Sequence, residues 1–266
     1  GSMELLQGKT FVVMGVANQR SIAWGIARSL HNAGAKLIFT YAGERLERNV
    51  RELADTLEGQ ESLVLPCDVT NDEELTACFE TIKQEVGTIH GVAHCIAFAN
   101  RDDLKGEFVD TSRDGFLLAQ NISAFSLTAV AREAKKVMTE GGNILTLTYL
   151  GGERVVKNYN VMGVAKASLE ASVKYLANDL GQHGIRVNAI SAGPIRTLSA
   201  KGVGDFNSIL REIEERAPLR RTTTQEEVGD TAVFLFSDLA RGVTGENIHV
   251  DSGYHILGLE HHHHHH

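Results

Sequence analysis

Short apolar runs alternate with longer amphipathic segments along almost the whole chain, and this alternation constrains the fold more than any other feature. The runs are rich in β-branched residues and indicate buried strands. Strand and helix in alternation predict a parallel sheet with helices on both faces and right-handed crossovers. We therefore expect an α/β fold, a Rossmann-type doubly wound sheet of about seven strands. The predicted strands are 9–16, 36–41, 62–66, 90–97, 143–148, 185–190 and 246–250.

Amphipathic segments with helical spacing lie between these strands. No linker rich in Pro, Gly or Ser interrupts the pattern and no internal repeat occurs, so residues 3–258 are predicted to form a single domain. Residues 1–2 are interpreted as a cloning scar, and residues 259–266, which end in six histidines, as an expression tag. The predicted helices are 21–30, 44–57, 72–86, 114–138, 160–180 and 225–237.

Charge and cysteine content exclude several classes of function. The chain carries 26 basic and 34 acidic residues, a net charge of −8, and has no basic block, so a nucleic-acid partner is not expected. No apolar run is long enough to span a membrane and the start does not resemble a signal peptide, so we expect a soluble, cytoplasmic protein. The three cysteines have no CxxC spacing, which fits a reducing compartment and argues against a metal site.

In doubly wound sheets, ligands bind outside the carboxyl ends of the strands, so the residues that end each strand are informative. Gly15 ends the first strand, and a helix begins near Ser21 and Ile22. A glycine lets the backbone approach a pyrophosphate, and a helix N-terminus offers free N–H groups. The usual G-x-G-x-x-G pattern is absent, and Ser21 is expected to cap the helix and to donate its hydroxyl to a phosphate. An ordinary N-cap after a tight turn explains the same residues.

The ends of the second and third strands bear on cofactor choice. No basic residue occupies the first two positions after Tyr41, which predicts NADH rather than NADPH, although Arg45 weakens this prediction. Asp68 and Val69 follow the third strand. Asp68 is placed to accept a hydrogen bond from an adenine amino group, or merely to help start the next helix.

Two tyrosines and a lysine surround the end of the fifth strand. Tyr149 and Tyr159 are ten positions apart, and Lys166 lies seven positions beyond Tyr159. Seven residues of helix make two turns less about 20°, so Tyr159 and Lys166 share one face. The ammonium favours negative charge near the phenol oxygen, which suits a site that donates a proton or hydrogen bond to a carbonyl becoming an enolate. A half-buried core tyrosine and a solvated lysine are the ordinary alternative.

The glycine turn, Asp68-Val69, the Tyr159–Lys166 pair and the segment 192–197 together resemble the short-chain dehydrogenase/reductase superfamily. The chain departs from the superfamily pattern in having Y-x6-K instead of Y-x3-K and Tyr149 instead of a serine. It also has His-Cys-Ile-Ala-Phe-Ala at 94–99 instead of Asn-Asn-Ala-Gly. In these departures it is similar to the bacterial NADH-dependent enoyl-acyl-carrier-protein reductases, which catalyse the last step of each fatty-acid elongation cycle.

The resemblance implies a role for each matching residue. Lys166 would bind the nicotinamide ribose, Tyr159 would hydrogen-bond the thioester carbonyl, and Tyr149 would be catalytic beside the substrate, with its separate role left open. The substrate would contact Ala97, Ala99, Tyr149, Met162 and Phe206. The dinucleotide would be held by Gly15, Ser21, Ile22, Asp68, Val69, Ile96, Lys166, Gly193, Ile195 and Thr197. The resemblance also implies acyl-carrier protein as a partner and a homotetramer.

The segment 198–210 follows the sixth strand and has two interpretations. Leu198, Val203, Phe206 and Ile209 have the spacing of one apolar helical face. The segment is either a lid over an acyl chain or a plain surface helix. Lys201, Arg220 and Arg221 are weak candidates for a basic rim that receives the acidic carrier protein.

Two other functions are compatible with parts of the sequence. One is a ketone-reducing enzyme of the same superfamily, which lacks support because Y-x3-K and the catalytic serine are missing. The other is a sensor that binds NADH without chemistry, which would have little use for both Tyr159 and Lys166.

Overall fold

A computed structural model of the chain describes residues 4–195 and 205–259. The interpreted cloning scar, Thr197, Lys201 and the hexahistidine segment lie outside the described residues, as do Leu198 and Val203 of the predicted lid.

The described residues form one seven-stranded sheet in which every pairing is parallel. The strands are β1 Thr10–Met14, β2 Lys36–Tyr41, β3 Leu63–Pro66, β4 Gly91–His94, β5 Gly142–Thr148, β6 Ile185–Ala192 and β7 Asn247–Val250. Their order in the sheet is β3-β2-β1-β4-β5-β6-β7, which confirms the predicted doubly wound Rossmann-type fold.

The winding of the sheet reverses between β1 and β4, and a glycine makes this reversal possible. Gly15 follows β1 with a φ of 105°, a backbone conformation that side-chain-bearing residues rarely adopt. A Cβ at this position would overlap the carbonyl oxygen of Cys95, which follows β4. The two strand ends can therefore approach each other only with glycine at position 15, and a crevice opens above them.

Helices cover both faces of the sheet and bury a separate apolar core on each. The helices are α1 Ile22–Asn32, α2 Glu44–Asp55, α3 Asp72–Glu85, α4 Arg113–Gln120, α5 Ser126–Ala134, α6 Asn160–Leu180, α7 Phe206–Arg216 and α8 Gln225–Phe236. Ile26, Leu30 and Val50 lie in the core under α1, α2 and α8, whereas Leu127 and Leu169 lie in the core under α3, α5 and α6. Across the described ranges, no helix combines the length and apolar character needed to cross a membrane.

The prediction of one continuous helix over 114–138 is wrong, because the helix is interrupted. A π-helical turn, Asn121–Phe125, separates α4 from α5. The Ser126 hydroxyl donates to the Ile122 carbonyl at 2.6 Å, and the Ser123 hydroxyl donates to the Phe98 carbonyl at 3.0 Å. The widened turn thus ties the helix to the loop after β4, and π-turns of this kind are frequent at functional sites.

Two further elements differ from the predicted ones. Strand β4 ends at His94 and not at residue 97, because the backbone beyond it leaves the sheet and lines a cavity. Helix α7 extends to Arg216, past the predicted lid segment. Phe206 in its first turn faces the cavity, while Ile213 packs into the protein, so one helix provides both lid-like and core contacts.

Candidate active site

A cavity of about 930 Å³ lies at the carboxyl ends of β1, β2, β4, β5 and β6. This is the location at which a doubly wound sheet binds ligands. Its wall brings together most of the residues that the sequence singled out, including both tyrosines and the lysine. Those that line it are Gly15, Ser21, Ile22, Ile96, Ala97, Ala99, Tyr149, Tyr159, Met162, Lys166, Gly193, Ile195 and Phe206.

Ser21 occupies the N-cap position of α1 but does not cap it with its side chain. Its hydroxyl oxygen accepts hydrogen bonds from the backbone N–H groups of Ala17 at 3.0 Å and Asn18 at 3.1 Å. The predicted side-chain cap is therefore wrong, because the hydroxyl closes the preceding loop instead. The first turn of α1 has no side-chain cap, and Ile22 and Ala23 line the cavity, so the positive end of the helix dipole faces it.

Asp68 and Val69 follow β3 and lie outside the cavity wall. One carboxylate oxygen of Asp68 accepts from the Thr70 N–H at 2.9 Å and from the Thr70 hydroxyl at 2.7 Å. Asp68 thus forms the turn before α3, whose N-cap is Asn71. This is the structural alternative that the sequence left open, and the contact with adenine stays a prediction.

The segment that follows β2 contributes one cation to the wall of the cavity. Arg45 lines it together with Ala42. Arg45 is exposed and has no carboxylate within ion-pair distance in the ranges 4–195 and 205–259. Its neighbours differ: Arg48 pairs with Glu52 at 3.0 Å, and Arg51 pairs with Glu47 at 2.8 Å. Arg45 is therefore a cation available to a ligand at this end of the cavity.

Tyr149 and Tyr159 form the opposite part of the site. Tyr149 follows β5, Tyr159 is the N-cap residue of α6, and their ring centroids are 4.9 Å apart in a T-shaped arrangement. Burial raises the pKa of Tyr149 to about 12. Burial raises the pKa of Tyr159 further, with Tyr149 and Glu170 adding to the effect. Both phenols are therefore protonated at neutral pH and act as hydrogen-bond donors.

Lys166 lies on α6 beneath the cavity, with a side chain that is almost completely buried. The residue is 7 % exposed, and its ammonium donates to the Leu147 carbonyl at 3.0 Å. Burial lowers the pKa of Lys166 to about 8, while Cys95 and Glu170 oppose this change. Lys166 shares the cavity with Tyr159 as the helix spacing predicts, but its charge is not among the causes of the shifted Tyr159 pKa. Lys166 therefore forms part of the cavity wall, and its ammonium lies near the end of β5.

His94, the last residue of β4, is a buried histidine that the sequence did not single out. Its Nδ1 lies 2.9 Å from the Thr146 hydroxyl and its Nε2 lies 2.8 Å from the Ser126 hydroxyl. Ser126 already donates to the Ile122 carbonyl, so Nε2 is the protonated nitrogen and Nδ1 accepts from Thr146. Burial lowers the pKa of His94 to about 3, and the ring is neutral.

Sequence reasoning also missed several residues of the cavity wall. Segment 100–112 reads as a polar connection, yet its first turn, the 3₁₀ helix Arg101–Leu104, lines the cavity. The available signal was an isolated leucine in a charged segment. Further wall residues that were not predicted are Cys95, Phe98, Leu147 and Val156, whereas Ile209 of the predicted lid segment does line the cavity.

The geometry agrees with comparisons to known proteins. A sequence profile of the family described as enoyl-(acyl carrier protein) reductase matches residues 15–255. The chain belongs to this family. It is 74 % identical over 251 residues to enoyl-[acyl-carrier-protein] reductase [NADH] FabI of Bacillus subtilis strain 168, covering 94 % of this chain and 97 % of the relative.

Other enoyl-acyl-carrier-protein reductases show the same similarity over nearly their whole length. The FabI of Staphylococcus aureus strain MRSA252, whose name specifies NADPH, is 64 % identical over 95 % of this chain and 98 % of its own. A solved reductase of Anaplasma phagocytophilum in complex with NAD superposes with a TM-score of 0.92. It is 50 % identical and is matched over 96 % of this chain and 97 % of its own.

Proposed function

We propose that this chain reduces the C2–C3 double bond of trans-2-enoyl-acyl-carrier-protein thioesters with NADH during fatty acid elongation. One observation carries the proposal. Two protonated phenols and the ammonium of Lys166 meet in one cavity at the strand ends where a doubly wound sheet binds dinucleotides. The chain is thus an enoyl-acyl-carrier-protein reductase by family and by the chemistry of its site.

The residues around the sheet reversal fit a dinucleotide. Gly15 leaves room for close backbone approach, and the first turn of α1 presents N–H groups without a side-chain cap. Lys166 supplies a buried donor for ribose hydroxyls. The dinucleotide, when bound, supplies the hydride, and the protein orients it against the substrate.

Tyr159 donates a hydrogen bond to the thioester oxygen of the substrate in this mechanism. As hydride adds to C3, the electron pair of the double bond moves towards that oxygen and gives an enolate, and a proton then adds at C2. A donor already in place before charge develops lowers the barrier by about 3 kcal/mol. Tyr159 suits this role because its raised pKa keeps the phenol protonated. Tyr149 packs against it and orients the ring.

Small and apolar side chains form the acyl part of the cavity. Ala97 and Ala99 leave space beside the tyrosines, and Met162 and Phe206 close it from α6 and α7. An apolar wall of this kind fits a fatty acyl chain, because binding removes its surface from water.

We propose NADH as the preferred cofactor over NADPH. Ala42 and Gly43 follow Tyr41, and neither offers a positive charge to a 2′-phosphate. Arg45 works against this preference because it is a cation that lines the cavity. The relatives differ in the same respect, since the name of the B. subtilis protein specifies NADH and that of the S. aureus protein specifies NADPH.

We also propose a cytoplasmic homotetramer that receives its substrate from acyl-carrier protein. Exposed apolar side chains such as Val109 and Tyr175 support an assembly that covers them. Two of the candidates for a basic rim are already engaged. Arg220 donates to the Ala217 carbonyl at 2.6 Å, and Arg221 pairs with Glu227.

One assay separates the proposed function from its alternatives. The loss of NADH absorbance is followed with a crotonyl thioester, with a 3-ketoacyl thioester and with each omitted. We expect oxidation of NADH with the crotonyl thioester alone. Activity with the ketoacyl thioester only would indicate a ketone reductase, and NADH binding without oxidation would indicate a sensor.

A further inference from the structure

We propose that Glu170 is a positioning residue for the reduction, which fixes the turn that carries Tyr149 and supplies the counter-charge of Lys166. This inference rests on the proposed function and deepens it. Glu170 lies on α6, four residues beyond Lys166, and is half-buried beside the cavity. Residues four apart on a helix are neighbours on one face.

The carboxylate of Glu170 is bonded to the residue next to Tyr149. The hydroxyl of Thr148, the last residue of β5, donates to Oε2 of Glu170 at 2.6 Å. Thr148 is 4 % exposed, so this bond is shielded from water. A hydrogen bond to a charged acceptor is stronger than one between neutral groups. The carboxylate therefore joins α6 to the end of β5 at the position from which Tyr149 enters the cavity.

A glycine makes this contact possible. Gly152 ends the 3₁₀ turn Leu150–Gly152, and a Cβ there would overlap Oε2 of Glu170 and press on Cβ of Lys166. The turn after Tyr149 thus packs directly on both Glu170 and Lys166. Any larger residue at position 152 would force the carboxylate away from Thr148.

The electrostatic surroundings of Lys166 make Glu170 its counter-charge. His94 and Cys95 face the ammonium from the end of β4. His94 is neutral because burial lowers its pKa to about 3, and Cys95 is neutral because burial raises its pKa to about 12. Cys95 and Glu170 both favour the charged form of the amine against the larger effect of burial, and Glu170 is the carboxylate of the two.

Burial raises the pKa of Glu170 above its ordinary value, with Glu153 adding to the effect, while the Thr148 hydroxyl, Lys166 and His249 oppose it. Oε1 of Glu153 lies 2.8 Å from Nε2 of His249 on β7. The carboxylate is bonded to Thr148 on β5 and not to the groups proposed to contact substrate, so its effect reaches the reaction through Lys166 and Tyr149.

Two substitutions separate the two parts of this role. Glu170→Gln keeps an oxygen that accepts from Thr148 but removes the charge. Loss of the Lys166 proton at high pH should give the pH profile of kcat/KM for NADH an alkaline limb. In Glu170→Gln we expect this limb to move to lower pH by about one unit, which is a roughly tenfold loss of kcat/KM at a fixed pH on the limb. Thr148→Val keeps the charge but removes the hydrogen bond. We expect kcat to fall several-fold while the limb stays in place.

Matched controls address charge and folding. Asp179→Asn removes the same charge from an exposed position on α6 and should leave the limb unchanged. Thr148→Ser restores the hydroxyl and should restore kcat. If Glu170→Gln does not fold, Glu170→Asp serves instead. It keeps the charge but withdraws it from Thr148, so kcat should fall with the limb in place.

The possible results distinguish this inference from the proposed function. A wild-type protein that does not oxidise NADH with crotonyl thioester would contradict the function itself. An active wild type whose alkaline limb is unmoved in folded Glu170→Gln would overturn the counter-charge. A limb that moves in Glu170→Asp would overturn it as well. Unchanged kcat in Thr148→Val would overturn the role of the hydrogen bond.

Discussion

The rings of Tyr149 and Tyr159 meet edge to face, with their centroids 4.9 Å apart. Gly151 also lies against the Tyr159 ring, where a Cβ would overlap Cδ2. The ring is therefore in close contact with both a glycine and a second aromatic ring, and its hydroxyl is oriented before any substrate binds. A donor that needs no reorganisation is the kind that lowers a barrier most.

Tyr159→Phe should lower kcat by a factor of about one hundred to one thousand, because the donor to the thioester oxygen is lost. Affinity for NADH should change little, since the ring and Lys166 remain. Steady-state kinetics with a crotonyl thioester and a fluorescence titration with NADH measure the two quantities. Tyr175→Phe is the matched control, because it removes the hydroxyl of an exposed tyrosine on α6 and should leave kcat unchanged. Full activity of Tyr159→Phe would remove this residue from the mechanism.

The pH profile should have an alkaline limb near pH 8 that belongs to Lys166. Burial lowers the pKa of Lys166 from 10.5 to about 8. The ammonium is therefore present below this pH and is lost as the pH rises through it, so kcat/KM for NADH should fall about tenfold per unit above the pKa. Cys95→Ser tests the assignment, because the pKa of that thiol is raised to about 12. A limb that disappears in this variant would belong to the thiol.

The sheet and the location of the site were predictable because both follow from local patterns. Each buried strand is a short apolar run, and the residues that end the strands meet at one edge of a parallel sheet. The Tyr159–Lys166 pair followed from helix periodicity alone. Asp68 shows where such reasoning ends, since the end of β3 was correctly located but its side chain turns towards Thr70.

The errors involve contacts made between segments or choices between equivalent local bonds. The hydroxyl of Ser21 could accept a hydrogen bond either from the first turn of α1 or from the loop before it. The path of that loop brings the N–H groups of Ala17 and Asn18 to the hydroxyl. The π-turn depends on Ser123 meeting Phe98, which no local periodicity encodes. Glu170 could have been noticed as a carboxylate four residues after Lys166, but its bond to Thr148 spans 22 positions and requires the folded sheet.

Gly151→Ala should reduce activity far more than it reduces stability. The added methyl group meets the ring of Tyr159 and must displace it, so the phenol moves away from its productive position. We expect kcat to fall by about tenfold or more, because small misplacements at a reacting centre are costly. The measurements are kcat with the crotonyl thioester and the thermal midpoint of unfolding.

Gly181→Ala is the matched control for this substitution. Position 181 has open space around it and a helical φ of −57°, so alanine should be tolerated or slightly stabilising and kcat should not change. Equal kinetic effects of the two substitutions would mean that contact with Tyr159 is not the cause.

His94 should make the folded protein sensitive to mild acid. Burial lowers its pKa from 6.5 to about 3, so between these values the unfolded chain binds a proton that the folded chain does not. The contribution of His94 to stability is present above pH 6.5 and is lost by about 1.4 kcal/mol per unit as the pH falls below it. Denaturant unfolding at pH 7, 6 and 5 measures this dependence.

His94→Gln should be less stable at pH 7, because it loses bonds to Thr146 and Ser126, but its stability should depend less on pH. The exposed His183 provides the control, since His183→Gln should retain the wild-type slope. A slope that is the same in His94→Gln as in the wild type would show that other groups cause the acid sensitivity.

Arg45 should control the residual use of NADPH. The wild type should have a higher kcat/KM with NADH, because Ala42 and Gly43 offer no charge to a 2′-phosphate. Arg45 is an exposed cation on the cavity wall, and an exposed ion pair is worth up to about 1 kcal/mol. Arg45→Ala should therefore lower kcat/KM with NADPH by several-fold and leave the value with NADH almost unchanged. Arg48→Ala, which removes a cation already paired with Glu52, should leave the ratio of the two values at its wild-type level. A wild-type advantage for NADPH would reverse the proposed preference, and an unchanged ratio in Arg45→Ala would place the 2′-position out of reach of this side chain.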